Sequence, residues 1–278
     1  MANSRRHHFA AKFYQKNFAE PIFSKHIRVY EADTRKWNSG PITPHGIGWF
    51  PHLYSMINDA GERTDEFENF LQQHVDGPAD RAMKVAAEQP DNLTDEQRAT
   101  IALFIGFAAA RSPSMMNSTR DRYFEKAPTE KINDLEQVVR MWCGATNQSY
   151  SDTSMRDFMK PSQLRSMIIW AASIQERLLA WKWTFIRASR ENPFITSDWP
   201  VFAEHHAEED IHIMSFPISS EVAVIINSSG EIRTDISQDD GVRAMNLQTL
   251  ERAQHFVICH QDSFPGDESL KHWPIANA

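Results

Sequence analysis

The chain has 278 residues, enough to bury one large hydrophobic core or two small ones, and its 41% apolar and 11% aromatic content is typical of a folded protein. Its formal net charge of −8 argues against a protein that grips duplex DNA through many phosphates, although a local basic groove is compatible with it. The two cysteines are far apart in sequence and give no disulfide framework. The longest apolar run, 101–110, is shorter than the ~20 residues that a membrane span needs. We therefore expect a cytoplasmic protein.

The N-terminal segment 5–31 holds the densest set of chemically usable side chains. Phe9, Phe13, Tyr14 and Phe18 are spaced by four, one and four residues, which predicts one face of a short helix that anchors the segment. The end of the segment alternates polar and apolar residues and predicts a half-buried strand.

The next segment, 38–57, is rich in Gly and Pro and carries Trp49, Phe50 and Tyr54. This composition predicts an ordered loop that is packed by its own aromatics and frames a site.

The middle of the chain, 64–190, is predicted to be helical. Asp65 with Glu68, and Thr94 with Gln97, have the spacing of capping boxes, so Glu68 is interpreted as a helix cap. The expected helices are a first helix that ends at Gly77-Pro78, a buried helix over 101–110, an amphipathic helix over 132–142 and a long helix from Gln163 to about Ser189.

The C-terminal region 193–260 changes to β-prone runs separated by turn residues. The predicted elements are strands over 194–197, 211–218, 222–227, 232–236 and 255–260 and a helix over 242–253, with a hairpin joining the third and fourth strands. Together these patterns predict a single α+β domain over 1–278, with a helical middle and a small, mostly antiparallel C-terminal sheet.

A series of short motifs is spread along the chain in a characteristic order. They are His7-His8, Phe13-Tyr14, 17–19, 27–30, Leu93-Thr94, Arg111-Ser112-Pro113, 194–201, Asn246 and 253–257. In this order they resemble a family known as DUF4238, over nearly the whole chain. The paired histidines and Thr196-Ser197-Asp198-x-Pro200 are its most specific marks. The family has no assigned activity, so the resemblance implies positions for a site rather than a reaction.

The chain departs from the family pattern at several positions. Similar proteins tend to read His-His-aromatic-Val-Pro-Gln-Phe-Tyr-Leu, whereas this chain has Ala10, Ala11, Lys12 and Gln15. The resemblance also implies an acidic residue near 47–48, which is absent, and a glutamate where Asp76 stands. If those carboxylates are ligands in the family, the case for a metal is weaker in this chain.

The paired histidines allow three interpretations. Adjacent side chains of a helix diverge by about 100 degrees, so His7 and His8 share a ligand only where the backbone is extended or begins a helix. One histidine could cap a helix or pack on Phe9 while the other faces water. Alternatively, one acts as a metal ligand or general base, or the pair forms an anion site with Arg6 and Lys12.

Asp198 follows a predicted strand, a place where a sheet holds catalytic groups rigidly. It is either a metal ligand or orienting carboxylate, or the acceptor of an Asx-turn. Thr196 and Ser197 either bind a phosphate, orient Asp198 or serve as turn residues. Arg111 ends an apolar helix, and because a buried guanidinium needs an anionic partner, Asp198 is a candidate for it.

The functional hypothesis is a metal-dependent, nuclease-like hydrolase of phosphodiesters. Its catalytic residues would be His7, His8, Asp198 and Arg111, its substrate-binding residues Arg6, Lys12, Tyr14, Thr196 and Ser197, and its metal ligands His8 and Asp198. Such ligands suit Mg²⁺ or Mn²⁺ better than a structural zinc. The partner would be a short or single-stranded nucleic acid or a phosphorylated small molecule.

The rival hypothesis is a non-catalytic regulatory module that binds a ligand or a protein. It rests on the absence of the usual nucleotide-binding, serine-hydrolase and zincin motifs. Trp49, Phe50 and Tyr54 would anchor the interface, because large rigid side chains supply much contact area. Convergence of both histidines, Arg111 and Asp198 on one cleft would favour the enzyme.

Overall fold

The computed structural model describes residues 6–19, 25–31, 34, 36–38, 40–58, 60–112, 115–116, 129–151, 154–205, 211–229 and 238–259. The strands are β1 (Arg6–His8), β2 (Arg28–Glu31), β3 (Lys36–Trp37), β4 (Trp49–Pro51), β5 (Met56–Ile57), β6 (Arg63–Thr64), β7 (Lys182–Arg187), β8 (Thr196–Ser197), β9 (Phe202–His205), β10 (Ile211–Pro217), β11 (Val222–Asn227) and β12 (Phe256–Cys259). The helices are α1 (Lys12–Lys16), α2 (Glu66–Phe70), α3 (Gly77–Glu88), α4 (Asp95–Ala110), α5 (Thr129–Ala145), α6 (Ser154–Ala180) and α7 (Gln238–Arg252). The α+β class expected from the sequence is confirmed.

Two four-stranded antiparallel sheets carry most of the strands. Their strand orders are β7-β11-β10-β9 and β3-β2-β12-β8, and β1-β4 and β5-β6 form two further antiparallel pairs. The second sheet joins the two ends of the chain, because Val257 of β12 lies opposite Tyr30 of β2 on one side and Ser197 of β8 on the other. The first sheet is thus the small antiparallel C-terminal sheet that the sequence predicted, and the second sheet adds strands β2 and β3 from the N-terminal part of the chain.

The helical core is built on α4, which packs along α6. The apolar run of α4 is buried on nearly all sides, as predicted. At the crossing, a Cβ on Gly106 would lie 2.5 Å from the carbonyl oxygen of Ala171, so glycine is needed for this close approach. The N-terminal segment joins the same core, because the ring of Tyr14 stacks on Phe216 and contacts Phe104.

The sequence predicted that the helix following Asp65 ends at Gly77-Pro78, but it continues past these residues. Instead α2 passes through a π-helical turn, Leu71–Asp76, directly into α3. The N–H of Gly77 bonds to the carbonyl of Gln72, five residues earlier. Proline lacks an N–H and crowds the carbonyl four residues before it, so a wider turn ahead of Pro78 lets the helix continue.

The long helix in the second half begins and ends earlier than predicted. α6 starts at Ser154, ahead of Pro161, and ends at Ala180, where the indole N–H of Trp183 bonds to the carbonyl of Leu178. Aromatic and β-branched residues then form β7, which pairs with β11 rather than extending the helix. The predicted strand 232–236 lies outside the described residues. None of the described helices is long and apolar enough to cross a membrane.

Candidate functional site

The paired histidines lie in the extended strand β1, so their side chains leave the strand on opposite sides. β1 pairs with β4, with His7 opposite Phe50 and His8 opposite Trp49. Gly48 has a φ of 69° and brings its carbonyl to the N–H of Ala10, which closes the loop onto β1. The backbone geometry thus sends the two histidines to different environments.

His7 is fully buried, and both of its ring nitrogens are engaged. Nδ1 accepts a hydrogen bond from the backbone N–H of Tyr54 at 2.9 Å, so Nε2 carries the proton, 3.3 Å from Asp65 Oδ1. Ser55 donates to the same carboxylate oxygen at 2.7 Å and lies 3.3 Å from Nδ1 of His52. This network ties β1 to the turn that follows β4.

His8 is buried on the other side of β1, and within the described residues neither ring nitrogen has a hydrogen-bond partner. Its ring stacks on His45, with the centroids 5.6 Å apart and the planes at 17°. Burial, followed by the charge of Lys12, lowers the pKa of His8 to about 3. The backbone carbonyl of Arg6 has a weaker effect that raises this pKa, although it is not in hydrogen-bond geometry with the ring. His8 is therefore neutral at pH 7 and able to accept a proton.

A cleft of about 610 Å³ opens beside His8. Basic and imidazole groups come from the N-terminal part of the chain, and acidic groups come from the continuous helix α2–α3. The lining residues are His8, Lys12, Phe13, Lys16, Lys25, Thr43, Pro44, His45, Glu68, Gln72, Asp76, Gly77 and Asp80. The cleft therefore offers cations to a small anionic ligand beside groups that can exchange protons.

The acidic groups of the cleft share one face of this helix. Glu68, Gln72, Asp76 and Asp80 follow one another at intervals of four residues, and the π-helical turn lies among them. Gln72 donates from its side-chain amide to Glu68 Oε1 at 3.1 Å. Short π-helical turns within α-helices are frequent at functional sites, which agrees with this placement.

Glu68 is buried, and its environment changes its acidity. Desolvation raises the pKa of Glu68 to about 7, while the hydrogen bond from Gln72 and the charge of Arg111 oppose the increase. A carboxyl group with a pKa near ambient pH both holds and releases protons readily. The interpretation of Glu68 as a cap is wrong, because Asp65 makes no capping hydrogen bond and Glu68 lines the cleft.

Arg111, at the end of α4, is 1% exposed and pairs with Asp76. Its Nη1 lies 3.0 Å from Asp76 Oδ1, so the expected pairing with Asp198 is wrong. Burial raises the pKa of Asp76, and the guanidinium opposes that increase. Arg111 Nε and Nη2 and the Tyr54 hydroxyl are buried with no hydrogen-bond partner in the described part of the chain. Since buried polar groups are costly when unpaired, they mark a polar interior behind Asp76.

Four of the predicted substrate-binding residues lie at different depths. Lys12 lines the cleft, and Arg6 lies over the ring of Trp49 beside the loop that carries His45. Tyr14 and Thr196 are buried in the core, with their hydroxyl oxygens 2.9 Å apart, and Tyr14 donates to the carbonyl of Pro217 at 2.8 Å. Neither of these two hydroxyls lines the cleft.

Asp198 is 3% exposed and accepts backbone hydrogen bonds from the turn before β12. The N–H groups of Gln254, His255 and Phe256 lie 3.0, 3.3 and 3.5 Å from its carboxylate oxygens. Burial raises the pKa of Asp198, and these N–H groups oppose the increase. Ser197, beside it, accepts from the N–H of Trp199 at 3.1 Å. Asp198 and Ser197 thus close two turns, and neither lines the cleft.

We expect Asp198→Ala to lower the free energy of unfolding by about 2 kcal/mol, because it leaves buried N–H groups without an acceptor. Urea unfolding measures this change, with the exposed Asp134→Ala as the control. Unchanged stability together with lost activity would instead place Asp198 in the chemistry.

The predicted metal ligands do not share the cleft, since only His8 lines it. Across the described ranges, no group of three or more His, Cys, Asp or Glu side chains is placed to hold a metal ion. The arrangement that the structure does bring together is His8, Glu68 and Asp76, with Lys12 beside them and Arg111 behind.

Comparison with known proteins gives one match. The family model described as DUF4238, protein of unknown function, matches residues 6–263. The chain belongs to the DUF4238 family. No curated protein and no solved structure matches the chain. Membership of DUF4238 therefore confirms the resemblance seen in the sequence and assigns no reaction to the cleft.

Sequence reasoning missed several groups that this DUF4238 chain brings to the cleft. Glu68 was assigned to a cap, and His45, Lys16 and Lys25 were not singled out. The interval of four residues from Glu68 through Gln72 and Asp76 to Asp80 is the signal that could have found the acidic face. No local signal indicates that Tyr54, offered above as an interface anchor, has no exposed surface.

Proposed function

We propose that the protein hydrolyses phosphodiesters in the cleft between His8 and the acidic face of α2–α3. The observation that carries this proposal is the meeting of two proton-exchanging groups of very different acidity, His8 and Glu68, in a cleft lined by lysines. Pairs of groups whose pKa values are pushed apart by their surroundings are typical of acid–base sites.

The proposed reaction uses His8 as the base and Glu68 as the acid. Neutral His8 accepts a proton from the water that attacks phosphorus. Glu68, protonated below about pH 7, gives its proton to the leaving oxygen as the phosphorus–oxygen bond breaks. Lys12 balances the negative charge of the phosphate, and Arg111 acts as a positioning residue that holds Asp76.

The proposal includes no step through a metal ion. The pair expected to bind Mg²⁺ or Mn²⁺, His8 and Asp198, does not fit that role, because Asp198 already accepts three backbone N–H groups away from the cleft. A requirement for either metal is a separate arm of the assay.

The direct test incubates the purified protein with labelled single-stranded and duplex RNA and DNA, with EDTA, Mg²⁺ or Mn²⁺. We expect cleavage of short or single-stranded substrates. In His8→Ala we expect activity to fall by about a hundredfold. This loss lies near the lower end for a proton-transfer group, because a group with a pKa of about 3 is a weak base. The exposed His255→Ala is the matched control. Equal activity of His8→Ala and the wild type would refute the assignment.

The second candidate is a non-catalytic module that binds an anionic ligand. It is favoured by two observations. Arg111 is already paired with Asp76 inside the protein, and His8 is a weak base. Calorimetry with the same oligonucleotides, together with the cleavage assay, separates the two functions. Oligonucleotides that bind but are not cleaved in EDTA, in Mg²⁺ or in Mn²⁺ would favour the module.

A further inference from the structure

The cleft has the size of a small-molecule site. Its volume of about 610 Å³ lies within the range of roughly 300–1,000 Å³ that is typical of ligand pockets. Lys12 and Lys16 lie one turn apart on α1, and Lys25 adds a third ammonium group to the lining. The cleft can therefore surround a nucleotide-sized anion, with its phosphate near the lysines.

His45 presents an aromatic surface beside these cations. One face of its ring is covered by His8, and the residue is otherwise exposed at the cleft. The charge of Lys12, followed by weaker effects of burial and of Arg6, lowers the pKa of His45. At neutral pH the ring is therefore an uncharged aromatic surface, which suits stacking with a nucleobase.

The loop that carries His45 is fixed by contacts with β1 and β4. Arg6 donates to the carbonyl of His45 at 3.3 Å, and its guanidinium lies 4.5 Å from the ring centre of Trp49. Trp49 donates from its indole to the carbonyl of Gly46 at 3.2 Å. These contacts hold the backbone of the loop, and the stack on His8 holds the ring, so little ordering is needed on binding.

We propose that the outer face of His45 stacks on the base of the bound substrate, so that the cleft recognises a nucleotide unit with its phosphate beside Lys12 and Lys16. This inference rests on the proposed phosphodiester hydrolysis and makes its substrate a dinucleotide or the end of a single strand. His45 is then a specificity-determining residue that the chemistry itself does not use.

The test compares two phosphate monoesters, adenosine 5′-monophosphate and ribose 5-phosphate, which share the ribose and the phosphate and of which only the first carries a base. Their dissociation constants are measured by calorimetry at pH 7. We expect the nucleotide to bind about tenfold more tightly to the wild type, because stacking of one base on an aromatic side chain gives a preference of this order. His45→Ala should remove the preference and keep the affinity for ribose 5-phosphate within about twofold. His45→Phe should restore the preference.

Two controls separate stacking from charge and from general damage. Lys12→Ala should weaken both ligands alike, and His255→Ala should change neither. Equal binding of the two ligands by the wild type, or a base preference that survives in His45→Ala, would overturn the stacking role.

The outcomes also separate this inference from the proposed function. Cleavage of a phosphodiester without base preference would keep the hydrolase and reject stacking. Base preference that depends on His45, without cleavage of any phosphodiester, would keep stacking and reject the hydrolase.

Discussion

Replacement of Glu68 by glutamine should lower activity by about 10³-fold at pH 6 and remove the alkaline limb of the pH profile. In the wild type we expect kcat/KM to fall as the pH rises through about 7, because the proposed acid loses its proton there. Glutamine keeps a carbonyl oxygen for the bond from Gln72 but has no proton to give. The expected loss exceeds that for His8→Ala, since a group with a pKa near ambient pH is a better proton-transfer catalyst.

The same replacement should stabilise the fold above pH 7. The folded-state pKa of Glu68, about 7, lies above the ordinary value of 4.5, so its contribution to stability is fully present below pH 4.5 and is lost as the pH rises through 7. At pH 8 the buried ionised carboxylate therefore costs about 3 kcal/mol relative to its protonated form. Glu68→Gln should recover roughly this amount at pH 8 and little at pH 4.

Urea unfolding at several pH values and a pH–activity profile measure the two effects. The matched control is Glu66→Gln, an exposed carboxylate on the same helix, which should leave both curves unchanged. A pH-independent change in the stability of Glu68→Gln, or an alkaline limb that persists in its residual activity, would contradict the assigned role.

The contrast between two predicted capping boxes shows what the sequence can and cannot indicate. Thr94 and Gln97 form the reciprocal hydrogen bonds that their spacing predicts. Asp65 and Glu68 have the same spacing, but Asp65 contacts Ser55 and His7, and Glu68 is desolvated at the cleft. Both spacings mark a helix start, because α2 begins at Glu66 and α4 at Asp95, but local spacing predicts the capping hydrogen bonds reliably only when no distant element competes for the side chains.

The same limit applies to the candidate site. Hydrophobic periodicity and turn residues predicted the α+β class, the approximate positions of most helices and five of the twelve described strands, namely β2, β8, β10, β11 and β12. The partner of Arg111 was not predictable, because Asp76 is 35 residues away in sequence and becomes a neighbour only through the π-helical turn and the packing of α4. The register of β1 with β4, which sends His7 and His8 apart, likewise depends on a long-range pairing.

Replacement of Arg111 by methionine should lower the free energy of unfolding by about 3–5 kcal/mol. Methionine can keep the contact with Phe104, whose ring centre lies 5.0 Å from the guanidinium, but it removes the partner of Asp76. The buried carboxylate is then either charged without a partner or forced to bind a proton, and both states destabilise the fold. Urea unfolding at pH 7 measures the change.

The double variant Arg111→Met with Asp76→Leu separates the ion pair from simple loss of packing. Removing both charges leaves neither member of the ion pair buried without its partner, so we expect most of the lost stability to return. If the double variant is as unstable as the sum of the two single variants, the pair is not coupled, and Arg111 stabilises the protein through its packing alone.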